Sequence, residues 1–133
     1  MQKKGQISTE YIMVISFALV LLIPTVVILF SNINSSGSKV YNDQANMIAR
    51  KIVDAANKVY SIGPPSTITL KIYLPRQIRS INISGREVLF MLESGSHIIA
   101  TSKVNLTGTI SHGSGLKFIR VEANTTGVKI SED

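Results

Sequence analysis

The chain has 133 residues, 14 Lys and Arg against 8 Asp and Glu, a formal net charge of +6 and no cysteine. That length makes one domain, or one small domain with an appendage. The missing cysteines exclude a disulfide framework and thiolate metal sites, and no Lys/Arg cluster with interleaved aromatics offers a nucleic-acid footprint.

Lys3 and Lys4 precede a long apolar run at residues 12–30, which carries no charge and is interrupted only by Ser16, Pro24 and Thr25. About 19 residues at a 1.5 Å rise span roughly 28 Å, close to the hydrocarbon thickness of a bilayer. Basic residues before such a run orient it with its N-terminus in the cytoplasm. Three readings compete for it. A secretory signal has a shorter apolar run with a small-residue cleavage site after it, and Phe30-Ser31-Asn32 is a poor exit. A plain anchor fits the length but gives no reason for Gly5-Gln6-Ile7-Ser8-Thr9-Glu10 between the lysines and the apolar core. The third reading places a cut before the run, after Gly5, so that Gln6 becomes the new N-terminus and the helix is kept.

Lys3-Lys4-Gly5 followed by Gln6-Ile7-Ser8-Thr9-Glu10-Tyr11 resembles the class III signal peptide of archaeal type IV pilins and pilin-like proteins. Gln6, Ser8, Glu10 and Tyr11 stand where the first, third, fifth and sixth mature residues of that pattern stand. The resemblance covers residues 3–30, about a fifth of the chain. The later residues resemble only in a general way the β-rich head of such subunits. The resemblance implies a leader at residues 1–5, removed by a prepilin peptidase. It implies assembly with identical subunits into a helical filament, served by an ATPase and a membrane platform protein. It also implies a membrane location before assembly and an extracellular one afterwards. Archaellum-type proteins start with a Gly/Ala-rich stretch after the cut. Gln6-Ile7-Ser8-Thr9 departs from that and favours an adhesive or structural pilin.

The family reading gives Glu10 a role. A cut after Gly5 creates an amine at Gln6. A buried, unpaired ion costs several kcal/mol, so Glu10 of one subunit would neutralise the Gln6 amine of its neighbour. The alternative is a helix-start carboxylate favoured by the helix dipole. Interfacial aromatic anchoring accounts for Tyr11 as well as an assembly role does. Pro24 removes one backbone hydrogen bond and predicts a kink; the family reading adds local melting there during assembly.

Residues 31–38 (SNINSSGS) break the composition and read as either a loop or a weak helical joint. From residue 39 helical spacing resumes, with Tyr41, Ala45, Ile48, Ile52, Ala56 and Val59 on one stripe. Arg50, Asp54 and Lys58 offer i, i+4 pairs, and Gly63-Pro64-Pro65 stops the helix. The expectation is one helix over residues 6–61, roughly 84 Å long, with a membrane or filament-core part at 7–30.

From residue 66 the period becomes two. Ile68, Leu70, Ile72 and Leu74 alternate with Thr67, Thr69, Lys71 and Tyr73. Ile81 and Ile83 alternate next, and Ser84-Gly85-Arg86 is a tight turn into residues 87–92. Further strands are expected at 97–101, about 104–110, 116–123 and 128–130. Six or seven short strands over 66–133 predict an α+β fold. Its head is an antiparallel sheet or small sandwich resting on the second half of the helix.

Chemistry is sparse. The acids after Glu10 are Asp43, Asp54, Glu87, Glu93, Glu122, Glu132 and Asp133, and none is spaced with a histidine. His97 and His112 sit beside Gly/Ser turns and read as solvated loop residues. Ser114 lacks the strand-to-helix context of a nucleophile elbow. No phosphate loop or dinucleotide fingerprint is present. The expectation is a protein that is not an enzyme and needs no cofactor or metal. Four of the eight asparagines, Asn34, Asn82, Asn105 and Asn124, head Asn-x-Ser/Thr sequons and are candidates for N-glycosylation. The leading expectation is a structural subunit of an archaeal surface filament, serving adhesion. The alternative is a membrane-anchored minor pilin or surface binding module that forms no fibre.

Overall fold

The computed structural model describes residues 3–133, with the side chains of residues 3–7 and 34–36 outside the described set. One helix, α1 (Lys3–Ile62), is followed by five strands: β1 (Thr67–Leu74), β2 (Ile78–Leu92), β3 (His97–Thr109), β4 (Gly115–Asn124) and β5 (Gly127–Glu132). The architecture is α+β, with a sheet packed on the helix. The chain divides into two compact units, residues 1–37 and 38–133.

In the first unit the backbone is helical through Pro24 and through the Ser/Asn/Gly stretch at 31–38. Of the two alternatives for that stretch, the helical one holds. Next to Pro24, Thr25 donates Oγ1 to Leu21 O at 2.8 Å, a polar contact made inside the helix's own turn.

In the second unit α1 turns an apolar stripe inward. Ala45, Ala49, Ile52, Val53, Ala55, Ala56 and Val59 are buried. Four of these seven are alanines. Arg50 donates to Asn46 Oδ1 at 3.2 Å rather than pairing with Asp54. The helix ends where the sequence stops it. Gly63 has φ 89°, and its N–H donates to Val59 O and Tyr60 O at 3.1 Å, a left-handed glycine cap. Ser66 Oγ donates to Val59 O at 2.7 Å.

The strands form one sheet in the order β1-β4-β5-β3-β2. All pairs are antiparallel except β3 with β5, where Leu106 lies opposite Val128. The expected all-antiparallel head is therefore a mixed sheet, and it is not a sandwich. The strand count differs from the expected six or seven for two physical reasons. Glu93 N–H donates to Gln77 O at 2.8 Å, so the two ends of β2 meet. Fifteen extended residues would hold them roughly 50 Å apart. β2 therefore doubles back, at Gly85 with φ 61°, and contains two of the expected strands. β3 contains two more, separated by a bulge. Gly85 faces Leu106 while Glu87 faces Thr101, so Ser102–Asn105 stand opposite Arg86 alone.

β1 and β2 lie at opposite edges, yet only Pro75-Arg76-Gln77 joins them. Four Cα steps reach at most about 15 Å, whereas the five interstrand gaps from β1 to the outer arm of β2 in a flat sheet would measure about 24 Å. The sheet must curl, and α1 fills its inner face. Phe90, Leu74, Leu106, Ile119 and Ile130 complete the core with Ile52, each contributing about 1.5–3 kcal/mol of transfer free energy.

Candidate functional site

In the first unit the feature that stands out is surface. Every residue from Ser8 to Ile33 is exposed. The most apolar stretch of α1 has a mean hydropathy of 3.0 and none of it is buried. By length and composition this helix can cross a membrane. Glu10 is exposed on it, two residues before the apolar run, and Pro24 lies within that run. Gly5 and Gln6 lie on its first turns, but the side chain of Gln6 falls outside the described residues, as does that of Asn34. Met1 and Gln2, at the start of the expected leader, also lie outside them.

The second unit holds two polar clusters that sequence reasoning did not single out. One binds the β3 bulge to the helix. Asn57 Oδ1 accepts from Ser102 Oγ at 3.0 Å and from Lys103 N–H at 3.1 Å, and Ser102 Oγ accepts from Val104 N–H at 3.2 Å. Ser102 is the one buried polar side chain among the described residues. The other cluster closes the opposite rim. Lys117 Nζ lies 2.5 Å from Glu132 Oε1 and also donates to Ser111 Oγ. Glu132 Oε2 accepts from Ser111 Oγ at 2.6 Å and from Ser111 N–H at 3.1 Å. The Lys117 ammonium, then the Ser111 hydroxyl and amide, lower the Glu132 carboxyl to about 2. Arg120 pairs with Asp133 at 2.6 Å. The first cluster fastens a strand bulge to the helix, and the second fastens the loop after β3 to β4 and β5. Only a mid-helix Asn near the buried stripe could have hinted at the first, and nothing local pointed to the second.

His97, His112 and Ser114 are exposed. Among the described residues no three His, Asp or Glu side chains gather as metal ligands would.

Asn82, Asn105 and Asn124 are exposed and gather at one end of the second unit. Asn82 lies three residues before the Gly85 reversal, and Gly85 pairs with Leu106. Asn105 abuts the β4–β5 turn, because a Cβ on Gly127 would meet Asn105 O at 2.4 Å. That turn carries Asn124, which pairs with Gly127. Ala123 N–H donates to Ser66 O at 2.9 Å, just past the end of α1. The three asparagines thus share the end where α1 terminates. The opposite end, where Tyr41 and Gln44 border Tyr73 and Pro75, lies toward residue 38.

No protein-family profile, curated protein or solved structure matches the chain.

Proposed function

We propose that the chain is a structural subunit of an archaeal type IV pilus-like surface filament. It enters the membrane with its N-terminus inside, is cut after Gly5 by a prepilin peptidase, and assembles through α1. The sheet-bearing unit then faces outward and serves adhesion. An ATPase and a membrane platform protein drive assembly.

One observation carries this reading: a helix with an apolar surface that the chain leaves entirely exposed, headed by Glu10 in the Gly5-Gln6-Ile7-Ser8-Thr9-Glu10 context. Such a surface needs a cover. Lipid supplies it before assembly, and like helices supply it in a fibre through close packing. Glu10 is the one ionised side chain between residue 5 and Lys39. A cation at the Gln6 amine of a neighbour would compensate it and set the axial register between subunits.

The test is Glu10→Ala. The variant should be cut as the parent chain is and should reach the membrane. Its yield of filaments, counted by electron microscopy after shearing, should fall at least tenfold. Normal filament yield would remove the pairing role.

A further inference from the structure

The three sequons of the second unit are not equivalent once it has folded. Asn105-Leu106-Thr107 lies within β3. Leu106 is almost wholly buried and is held between Gly85 of β2 and Val128 of β5. Thr107 is registered against Lys129. Presenting this tripeptide to an enzyme would require drawing Leu106 out of the core and breaking both ladders. Asn82-Ile83-Ser84 lies in the outer arm of β2, and Ile83 is half-buried against the core.

Asn124-Thr125-Thr126 is different. All three residues are exposed, and Thr125 and Thr126 form the tip between β4 and β5, outside the paired register. The Asn124 carboxamide is already oriented. Its Oδ1 accepts the Thr125 N–H at 2.8 Å, with the Thr125 hydroxyl at 3.5 Å. Its Nδ2 donates to none of the described residues and remains available.

We infer that Asn124 is the acceptor of an N-linked glycan on the folded protein, and that Asn82 and Asn105 are closed to this chemistry once the sheet has formed. The donor is a saccharide carried on a lipid-linked phosphate. The Asn124 Nδ2 attacks the anomeric carbon. The C1–N bond forms, the C1–O bond to phosphate breaks, and the lipid phosphate leaves with the electron pair. The amide proton passes to a base of the transferase, and nothing is oxidised or reduced. Thr126 supplies the hydroxyl two residues on that such acceptor sites require. The inference rests on the proposed function in one respect: the second unit must face the compartment that holds the donor. The sugar would then sit at the end of the unit remote from residue 38.

The test is glycopeptide mass spectrometry on the full chain isolated from its own cells, beside Thr126→Val and Thr126→Ser variants. A parallel sample of intact cells is treated with an external protease. The expected result is a saccharide mass on Asn124 in most copies, lost at least tenfold in Thr126→Val and kept in Thr126→Ser. Both substitutions leave Asn124 and the core untouched, so loss of folding does not mimic the result. A bare Asn124 overturns the inference, whether or not Asn82 or Asn105 carries sugar. An adduct that survives Thr126→Val also overturns it. If Asn124 is bare and the protease digests the second unit, the glycan inference fails alone. If Asn124 is bare and the unit is protected, the outward topology fails with it.

Discussion

Asn57 shows how one polar side chain can fix a region that apolar contact leaves undetermined. The bulge at Ser102–Asn105 has backbone and hydroxyl groups that β2 does not pair, and Asn57 Oδ1 takes two of their hydrogens. Removing it orphans a buried hydroxyl, at a cost of about 1–3 kcal/mol. Asn57→Ala should lower the stability of the full chain in detergent by that amount, read from urea unfolding followed by circular dichroism. No loss would mean that water replaces the clamp. Gly108 makes a sharper case. A Cβ there would lie 1.8 Å from Ile130 O, and its φ is 134°. Gly108→Ala should cost about 2 kcal/mol or more through strain and separation of the β3–β5 pair. In the same assay, an unchanged midpoint would contradict that close approach. Glu132 adds a pH dependence. Its carboxyl is lowered from 4.5 to about 2, so its contribution is fully present above pH 4.5 and is lost as pH falls toward 2. The parent chain should lose thermal stability over that window more steeply than Glu132→Gln. Parallel pH profiles would show that the Lys117 contact does not persist in solution.

At the scale of elements, the end of α1 was legible: expected at residue 61, it falls at Ile62, because a period of 3.6 and a Gly-Pro-Pro stop are local signals. Its start, expected at residue 6, lies at Lys3. The stretch at 31–38 was ambiguous because Ser, Asn and Gly each weaken a helix by only about 1 kcal/mol or less, too little to break one that is propagating from both sides. The inward face of β1 followed from alternation, as at Ile72 and Leu74. The pairing did not. The parallel β3–β5 contact joins residues 22 positions apart, Leu106 and Val128, and no local pattern encodes such a partner. The doubling of β2 was legible at Ser84-Gly85-Arg86, whereas the bulge in β3 was not, since its cause lies on the helix at Asn57. The sequons were visible as sequence, but their unequal access depends on Leu106 and Ile83 being held by the sheet. For α1 itself the expected behaviour is membrane retention. Val20→Arg places a charge in mid-span at a cost of about 2.5–3.5 kcal/mol. It should shift much of the chain into the soluble fraction after alkaline extraction. Full retention would argue against a spanning role for residues 12–30.

For the whole molecule the two units pose opposite problems. Residues 38–133 bury their own core and close it with polar clamps, while residues 8–33 leave their apolar surface to be covered by something else. A filament of like subunits supplies that cover in the proposed function, and the cut after Gly5 is what would turn an anchored precursor into a subunit able to pack. The most direct measurement is therefore peptide mass spectrometry on filaments sheared from cells. The account predicts an abundant peptide that begins at Gln6 in the sheared fraction. A surface chain that still carries residues 1–5, or a Gln6 peptide confined to membranes and missing from sheared material, would contradict it.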